Sequence, residues 1–541
     1  MKKLYAISTF TLVGLYALLS VIVLGVCLFT GVSMLLGLGI SIIILIIQFL
    51  IAPWLTDLTM KWFYKAKFGA EIPEYLDKFI NDICSKYNMK KPKIAVIDDG
   101  APNAFTYGRT KNDARIVITR GIFELLEEEE VKAVVGHELG HVVHYDMMFM
   151  TFAQLVPLVL YFIFEVLVDT DGNNNSSSNS NNNGYAQLIG IIAYVLYIIS
   201  QYVILWLSRT REYYADQFSI EETGNPNALG QALVKIGFGL SVSSDTNSEG
   251  KKVRSTKNIG ALGIFDSKTS KSLVVSSNNN ISDKDSIKNA MKWEMWNPWA
   301  IIYQLKSTHP LISKRLLEIS KRSEEYKQEP FITFDLVKPE SYVDDFFIEL
   351  LIKYLPVIFY LVGLVLFGVF AGMDNAVLSF TSLGLCGIIG TLFLFVAFFR
   401  SHKSGYKTTT VRDLLGEVKV SGVTSIPCEV EGTIIGKGDP GCIFSEDFIL
   451  KDDTGIIFLD YNQPLFILNK IFAVFKSDKY IDKKIKIKGW YRRSPVPYIE
   501  IYEYEFDGKN KKIFTYTVSI IFKVILLIIF VLLLLMGFGL V

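Results

Sequence analysis

Long apolar runs are the feature of this 541-residue chain that most restricts its fold. Hydrophobic residues make up 50% of it, charged residues only 20%, and the mean hydropathy is +0.33. A helix needs about 20 mostly apolar residues to cross the roughly 30 Å of bilayer hydrocarbon. Seven runs are long enough, near residues 4–28, 32–53, 147–168, 185–207, 354–371, 376–399 and 524–541. The sequence therefore predicts an α-helical multi-pass membrane protein.

The basic residues beside these runs predict the orientation. They fall on one side of the predicted spans: Lys2, Lys3, Lys61, Lys65, Lys67, Arg209, Arg211, Arg400 and Lys403. The opposite connections, 30–33, 169–184 and 372–375, carry no Lys or Arg. By the positive-inside rule the basic side is cytoplasmic, so we expect a cell-membrane protein whose C-terminus lies outside.

His137, Glu138 and His141 form an H-E-x-x-H motif, His137-Glu138-Leu139-Gly140-His141. Positions i and i+4 lie on one face of a helix, so both imidazoles can reach one zinc ion while the carboxylate acts on the metal's water. The preceding acidic run, 127–130, favours a helix that starts there, since carboxylates complement the positive end of the helix dipole. The motif predicts a zinc site with a general base.

A catalytic zinc site needs a third protein ligand and one open position. Glu212 and Asp216 follow downstream at i, i+4 spacing in the stretch 208–216 (SRTREYYAD). From spacing alone, either carboxylate could bind the metal while the other orients a ligand imidazole.

These motifs resemble those of the HtpX-like and CAAX-prenyl-protease-like integral membrane zinc metalloproteases. In that family HELGH is followed by a Glu ligand within S-R-x-R-E-x-x-A-D, and both motifs are intact here. The stretches 102–108 (PNAFTYG) and 307–310 (STHP) are similar to two further family segments and occur in the same order. The resemblance covers roughly residues 1–320.

The resemblance implies a role for each matching residue. His137, His141 and Glu212 would bind one Zn²⁺ per chain, and Glu138 would be the catalytic base. Asp216 would not bind the metal itself but would orient a ligand imidazole. His309 has two interpretations of equal weight, a hydrogen-bond donor to substrate and an ordinary turn residue before Pro310.

Short strands are predicted immediately before the motif helix, at 93–97, 105–109 and 115–118. Metalloproteases commonly bind substrate as an added strand on such an edge. Asn103, beside the second strand, is accordingly a candidate substrate contact, although the strands could equally be plain framing for the helix.

The chain divides into five predicted segments with distinct composition. They are an N-terminal transmembrane hairpin (1–57), a zincin-type α+β metalloprotease domain that includes spans near 147–168 and 185–207 (58–345), a transmembrane hairpin (346–400), a small all-β domain (401–512) and a C-terminal transmembrane helix (513–541). Polar segments at 171–184 and 242–285 are predicted to be a tether and a flexible insertion. Short period-two runs separated by turn residues predict an OB-like barrel for the β domain.

The basic aromatic stretch 486–493 of that domain could bind nucleic acid, but its position between two spans argues against a nucleic-acid partner. We therefore expect a zinc endopeptidase that cleaves misfolded or membrane proteins at the cytoplasmic membrane face, a role in protein quality control. A CAAX-prenyl-protease-type processing enzyme is the first alternative, and a non-catalytic membrane binding or scaffold protein is the second. The sequence leaves the oligomeric state open.

Overall fold

A computed structural model describes most of the chain. The described residues are 2–30, 34–168, 180–242, 284–334, 341–437, 447–464, 469, 472, 477–494 and 496–540. The helices are α1 (Lys2–Thr30), α2 (Met34–Phe63), α3 (Glu74–Lys86), α4 (Arg120–Leu125), α5 (Glu128–Val143), α6 (Asp146–Val168), α7 (Ser180–Thr223), α8 (Pro226–Val242), α9 (Lys284–Trp296), α10 (Pro298–Leu305), α11 (Ile312–Glu325), α12 (Val343–Gly372), α13 (Ala376–Ser401), α14 (Val411–Gly416) and α15 (Thr515–Gly537), with a 3₁₀ turn at Asp478–Tyr480. The strands are β1 (Lys67–Phe68), β2 (Lys93–Ile97), β3 (Ala104–Gly108), β4 (Ala114–Thr119), β5 (Lys407–Thr408), β6 (Ile426–Lys437), β7 (Phe448–Lys451), β8 (Ile456–Asp460), β9 (Lys484–Ser494), β10 (Val496–Phe506) and β11 (Lys509–Lys512).

The described residues group into two compact units. The first takes in those of Met1–Ser270 and Gln304–Thr333, and the second those of Lys271–Tyr303 and Phe334–Val541. The five-segment division made from the sequence remains a prediction. The predicted insertion at 242–285 lies almost wholly outside the described residues. Most of the predicted tether at 171–184 does as well, but α7 already begins at Ser180, so the end of that tether is helical.

A four-stranded sheet in the first unit frames the motif helix. Its order is β1-β2-β4-β3, with β2 and β4 parallel and the other neighbours antiparallel. The three strands expected from the sequence are present with ends shifted by at most one residue. β4 is buried along its whole length, which its run of β-branched residues favours. Within this sheet β3 lies at an edge, and it packs against α5.

Helices long and apolar enough to cross a bilayer make up much of both units. Among the described residues six qualify, at Lys2–Cys27, Asp146–Val168, Ala186–Thr223, Val343–Gly372, Ala376–Ser401 and Thr515–Gly537. The remaining predicted span, 32–53, falls on α2.

Two of the spans continue directly into the motif region. α6 begins three residues after α5 ends, and α7 carries its apolar run and the SRTREYYAD stretch in one uninterrupted helix of 44 residues.

Among the membrane helices of the second unit, α13 packs against both α12 and α15. α13 approaches α15 through a glycine, because a Cβ at Gly384 would lie only 2.6 Å from the backbone nitrogen of Leu534. Small residues let helix backbones approach closely where lipid supplies no hydrophobic drive for association.

The second unit also contains the predicted β domain. β6, β7, β8, β10 and β9 pair in that order, and β9 pairs back to β6, so the five strands close into a ring. Only the β8–β10 pair of the ring is parallel. A closed five-stranded barrel confirms the OB-like prediction, because closure removes the exposed strand edges of a small sheet.

The basic aromatic stretch of the barrel is largely internal. Trp490, Tyr491, Arg492 and Arg493 are buried, and Arg492 binds Glu500 at 2.8 Å. The lysines at positions 486 and 488 pair with one carboxylate, that of Glu429. Within this stretch the aromatic side chains and both arginines are therefore internal to the barrel, while the two lysines remain partly exposed beside Glu429.

Candidate metal centre

The two motif histidines lie on one face of α5. The helix starts with a reciprocal capping arrangement between Glu127 and Glu130, which fixes its first turn. His137 and His141 are one turn apart further along, and their Nε2 atoms face each other at 3.2 Å. His137 is 1% exposed, whereas the side chain of His141 is 17% exposed, so the pair is reached by solvent from the side of His141.

Glu212 reaches the same point from α7. Its carboxylate oxygens lie 3.5 Å from the Nε2 atoms of His137 and of His141. One ligand atom from each of the three residues lies within 4.8 Å of the others. The approach of the two helices depends on Gly140, where an added Cβ would stand 3.1 Å from the Cα of Ala215.

A buried carboxylate lies beside the Nδ1 atom of each imidazole, on the side of the ring away from the ligand cluster. His137 Nδ1 lies 2.9 Å from Asp216 and His141 Nδ1 lies 2.7 Å from Asp146. Since a carboxylate can only accept, the hydrogen bond between His141 Nδ1 and Asp146 places a proton of that ring on Nδ1 and directs its Nε2 inwards, while Asp216 faces His137 Nδ1 as a charge partner. This carboxylate–histidine arrangement is the one that metal-binding histidines usually show.

Two buried arginines hold the orienting carboxylates. Arg315 donates to both oxygens of Asp216, at 2.6 and 2.8 Å. Arg211 binds Asp146 and also donates to Ser8 of α1 at 2.6 Å. Each imidazole is thus connected through a carboxylate to a guanidinium, which fixes the ring orientation.

The donor set fits a metal cation. Tetrahedral ligands about 2.05 Å from zinc stand about 3.3 Å from one another, close to the observed separations of 3.2 and 3.5 Å. Within the described part of the chain, the buried Oε2 of Glu212 has no hydrogen-bond partner. Burial alone would lower the pKa of His137, but the adjacent Asp216 and Glu212 carboxylates outweigh it and raise that pKa to about 9. The site therefore attracts positive charge, which a metal ion can supply.

Glu138 lies beside the histidines with its carboxylate buried at 3% exposure. Thr106 of β3 donates a hydrogen bond of 2.7 Å to its Oε2. Burial raises the pKa of Glu138, while the nearby histidines and the Thr106 hydroxyl act in the opposite direction. A carboxylate with an elevated pKa is suited to take up and return a proton near neutral pH.

A cavity of about 200 Å³ opens onto these groups. Its lining includes Thr106, Tyr107, Gly108, His137, Glu138, His141, Asp146, Met147, Met150, Gln154, Glu212 and His309. His309 Nε2 lies 3.6 Å from a Glu212 oxygen, and its Nδ1 lies 2.9 Å from the Thr308 hydroxyl. Edge strand β3 forms one wall of the cavity.

The structure brings together six of the seven residues proposed from the sequence: His137, Glu138, His141, Glu212, Asp216 and His309. Asn103 is buried in the loop before β3, where its backbone N–H donates to Thr119 Oγ1 at 2.7 Å. It does not line the described cavity. Its predicted contact with substrate remains a prediction.

Sequence reasoning missed Asp146, Thr106, Arg211 and Arg315. The available signal for Asp146 was a charged residue immediately before a predicted span, five positions after His141. An acidic residue there is costly unless it has a partner. His144, expected to be structural, is buried with its ring 5.7 Å from that of Phe218, and burial lowers its pKa to about 3.

Comparison with known proteins agrees with this geometry. Residues 72–323 match the model of Peptidase family M48. A protein named Protease HtpX homolog from Methanothermobacter thermautotrophicus is 40% identical over 240 residues, which are 43% of this chain and 85% of that relative. Another of the same name from Aeropyrum pernix is 27% identical over 289 residues, covering 53% of this chain and 85% of the relative.

A crystal structure of S. mikatae Ste24p aligns with 44% of this chain and 59% of its own, at 20% identity and a TM-score of 0.29.

The apolar helices, the paired motifs and the similarity to Peptidase family M48 and to the two HtpX homologs define a multi-pass membrane metalloprotease. The chain belongs to Peptidase family M48 and is similar to its HtpX proteases.

Proposed function

We propose that the chain is a zinc-dependent endopeptidase that hydrolyses peptide bonds of misfolded or membrane proteins at the cytoplasmic membrane face. The observation that carries the proposal is the convergence of two Nε2 atoms and the Glu212 carboxylate on one point beside Glu138. His137, His141 and Glu212 would hold the ion. When bound, zinc polarises the scissile carbonyl and lowers the pKa of water.

The residues of the chain would carry the proton steps. Glu138 accepts a proton from the attacking water and returns it to the leaving amine nitrogen, which its raised pKa favours. Asp216 and Asp146 keep both imidazoles in the tautomer that presents Nε2 to the metal. His309, on the cavity wall, is positioned to donate a hydrogen bond to the carbonyl oxygen as it gains charge.

Edge strand β3 supports a mode of substrate binding. A peptide in extended conformation can add through main-chain hydrogen bonds to the edge of β3 that no other described strand occupies. Thr106, Tyr107 and Gly108 of this strand line the cavity, so an added strand would pass the metal ligands. Main-chain binding favours unfolded substrates because folded proteins seldom present a free extended segment.

Hydrolysis of casein by the full-length protein in detergent tests the activity. Zinc should restore cleavage after chelator treatment, and Glu138→Gln should abolish it while zinc binding is retained. Glu129→Gln, which changes an exposed carboxylate on the same helix, is the matched control and should cleave normally. A zinc-loaded protein that ignores unfolded proteins but cleaves prenylated peptides would contradict the proposed substrate class.

The proposed membrane face has its own test. The basic connections, including Lys61, Lys65 and Lys67, should lie inside, and the C-terminus outside. Protease added to intact cells should therefore remove a C-terminal epitope tag. Protection of the tag until the membrane is broken would reverse the assignment.

A further inference from the structure

α1 and α7 contribute to the lining of a groove in the first unit, which we define as two neighbouring cavities. The groove has two parts that share Ile7. One is a basic cavity of about 750 Å³ where the helices leave the apolar region, and the other is an apolar cleft of about 400 Å³ along their membrane-spanning stretch. The lining therefore changes from cationic in the first cavity to apolar in the second.

Cationic side chains predominate in the basic cavity. Four basic residues line it, namely Lys3, Lys314, Arg315 and Arg322, against the two acidic residues Asp216 and Glu318. Tyr213, Tyr214 and Thr210 add hydroxyl groups to the wall.

The four basic residues differ in how readily they can bind an anion. Arg315 is buried and bonded to Asp216, so it belongs to the support of the metal centre. Lys314 donates to the side chain of Gln304 at 2.6 Å and lines the cavity from α11. Arg322 pairs with the exposed Glu325 at 2.9 Å, a surface contact that is easily exchanged for another anion. Lys3 is exposed on the first turn of α1. Lys3, Lys314 and Arg322 are therefore the candidate anion contacts.

The apolar cleft has the length of one membrane leaflet. On α1 its lining runs from Ile7 to Leu18, which is about 16 Å of helix at 1.5 Å per residue. Half of a hydrocarbon core about 30 Å thick is about 15 Å. Gly14 leaves room in the middle, since an added Cβ there would meet no atom within 4 Å. Trp206 of α7 lines the same cleft close to the basic cavity.

We propose that this groove is a binding site for one anionic phospholipid. Its phosphate would contact Lys3, Lys314 and Arg322, and one acyl chain would lie in the cleft along Gly14. A cationic cavity suits a phosphate, and an apolar cleft beside it suits an aliphatic chain. A phospholipid carries both groups. The match to one leaflet favours a lipid over a free phosphate, which would occupy only the basic part.

Native mass spectrometry of the full-length protein in detergent can count bound lipids directly. Titration with phosphatidylglycerol, with phosphatidylcholine and with inorganic phosphate distinguishes the sources of the phosphate. The wild-type protein should bind phosphatidylglycerol more tightly than the zwitterionic lipid. Each cation near a membrane surface contributes about fivefold in affinity for an anionic lipid, so Lys314→Gln with Arg322→Gln should weaken phosphatidylglycerol binding about 25-fold. Lys321→Gln, a neighbouring change outside the cavity, should have no effect.

A second pair of variants tests the acyl chain. Gly14→Leu should fill the cleft and weaken both lipids, whereas Gly25→Leu, on the same helix and equally open, should weaken neither. Equal affinity of the wild-type protein for both lipids would overturn the proposal, as would unchanged binding in the double variant. Binding of inorganic phosphate that excludes lipid would also overturn it. These readouts do not depend on proteolysis, so they stand apart from the proposed activity.

Discussion

Replacing Asp146 with asparagine should weaken metal binding by the folded protein. The carboxylate lies 2.7 Å from His141 Nδ1 and fixes the ring so that Nε2 points at the ligand cluster. Loss of such an outer partner typically costs 10- to 100-fold in metal affinity. At about 1.4 kcal/mol per decade this is about 1.4 to 2.8 kcal/mol.

The same substitution should lower the stability of the fold. Arg211 is 1% exposed and loses its carboxylate partner in Asp146→Asn. Breaking a buried ion pair by removing one partner costs about 3–5 kcal/mol, a large part of a typical stability of about 5–15 kcal/mol. The two effects must therefore be measured separately.

Zinc titration against a competing chelator, at a temperature well below the unfolding transition, gives the affinity of the folded protein alone. Glu130→Gln is the matched control, because Glu130 is also buried and pairs with Lys235 at 2.7 Å but does not contact the histidines. It should lower the unfolding temperature and leave zinc affinity unchanged. Wild-type zinc affinity in folded Asp146→Asn would refute the orienting role.

Three further predictions concern the same centre. Thr106→Val removes the hydroxyl that lowers the pKa of Glu138, so that pKa should rise and the acidic limb of the pH–activity profile should move to higher pH. Gly140→Ala places a methyl group 3.1 Å from Ala215, which should separate α5 from α7 and reduce both the unfolding temperature and zinc retention. His137 has a pKa of about 9 without metal, so zinc affinity measured by chelator competition should fall by up to about tenfold per pH unit below that value. Because folding raises the pKa of His137 from its ordinary value of 6.5, protonation of His137 stabilises the metal-free fold. This stabilisation should be fully present below pH 6.5 and be lost as the pH rises through about 9, as thermal unfolding at several pH values would show.

Patterns that depend on local spacing were predictable from the sequence. The i, i+4 spacing of His137 and His141 fixed their common face, and the period-two and short apolar runs indicated the strands of the barrel. The apolar runs likewise located the membrane helices, because the length of a span follows directly from bilayer thickness.

Partners brought together across the fold could not be predicted in the same way. Arg315 lies 99 residues from Asp216, and no spacing rule links them. In the sequence Arg211 is one of several basic residues beside a predicted span, but in the structure it is buried against Asp146 and Ser8. Side-chain partners at such separations depend on how the helices pack, which is a property of the whole unit.

The anchoring of the ligands ties the metal centre to the membrane helices. Glu212 and Arg211 lie on α7, Asp146 is the first residue of α6 and Ser8 belongs to α1, and each of these helices is a candidate span. The two histidines and Arg315 lie on helices outside the candidate spans, the histidines on α5 and Arg315 on α11. A small displacement of α6 or α7 would therefore rotate an imidazole or withdraw Glu212, because close-packed helix interfaces transmit such shifts to the side chains they contact. Metal affinity in this chain should depend on the integrity of the helix packing in the membrane, so detergents that loosen α1, α6 and α7 should release zinc before the sheet unfolds.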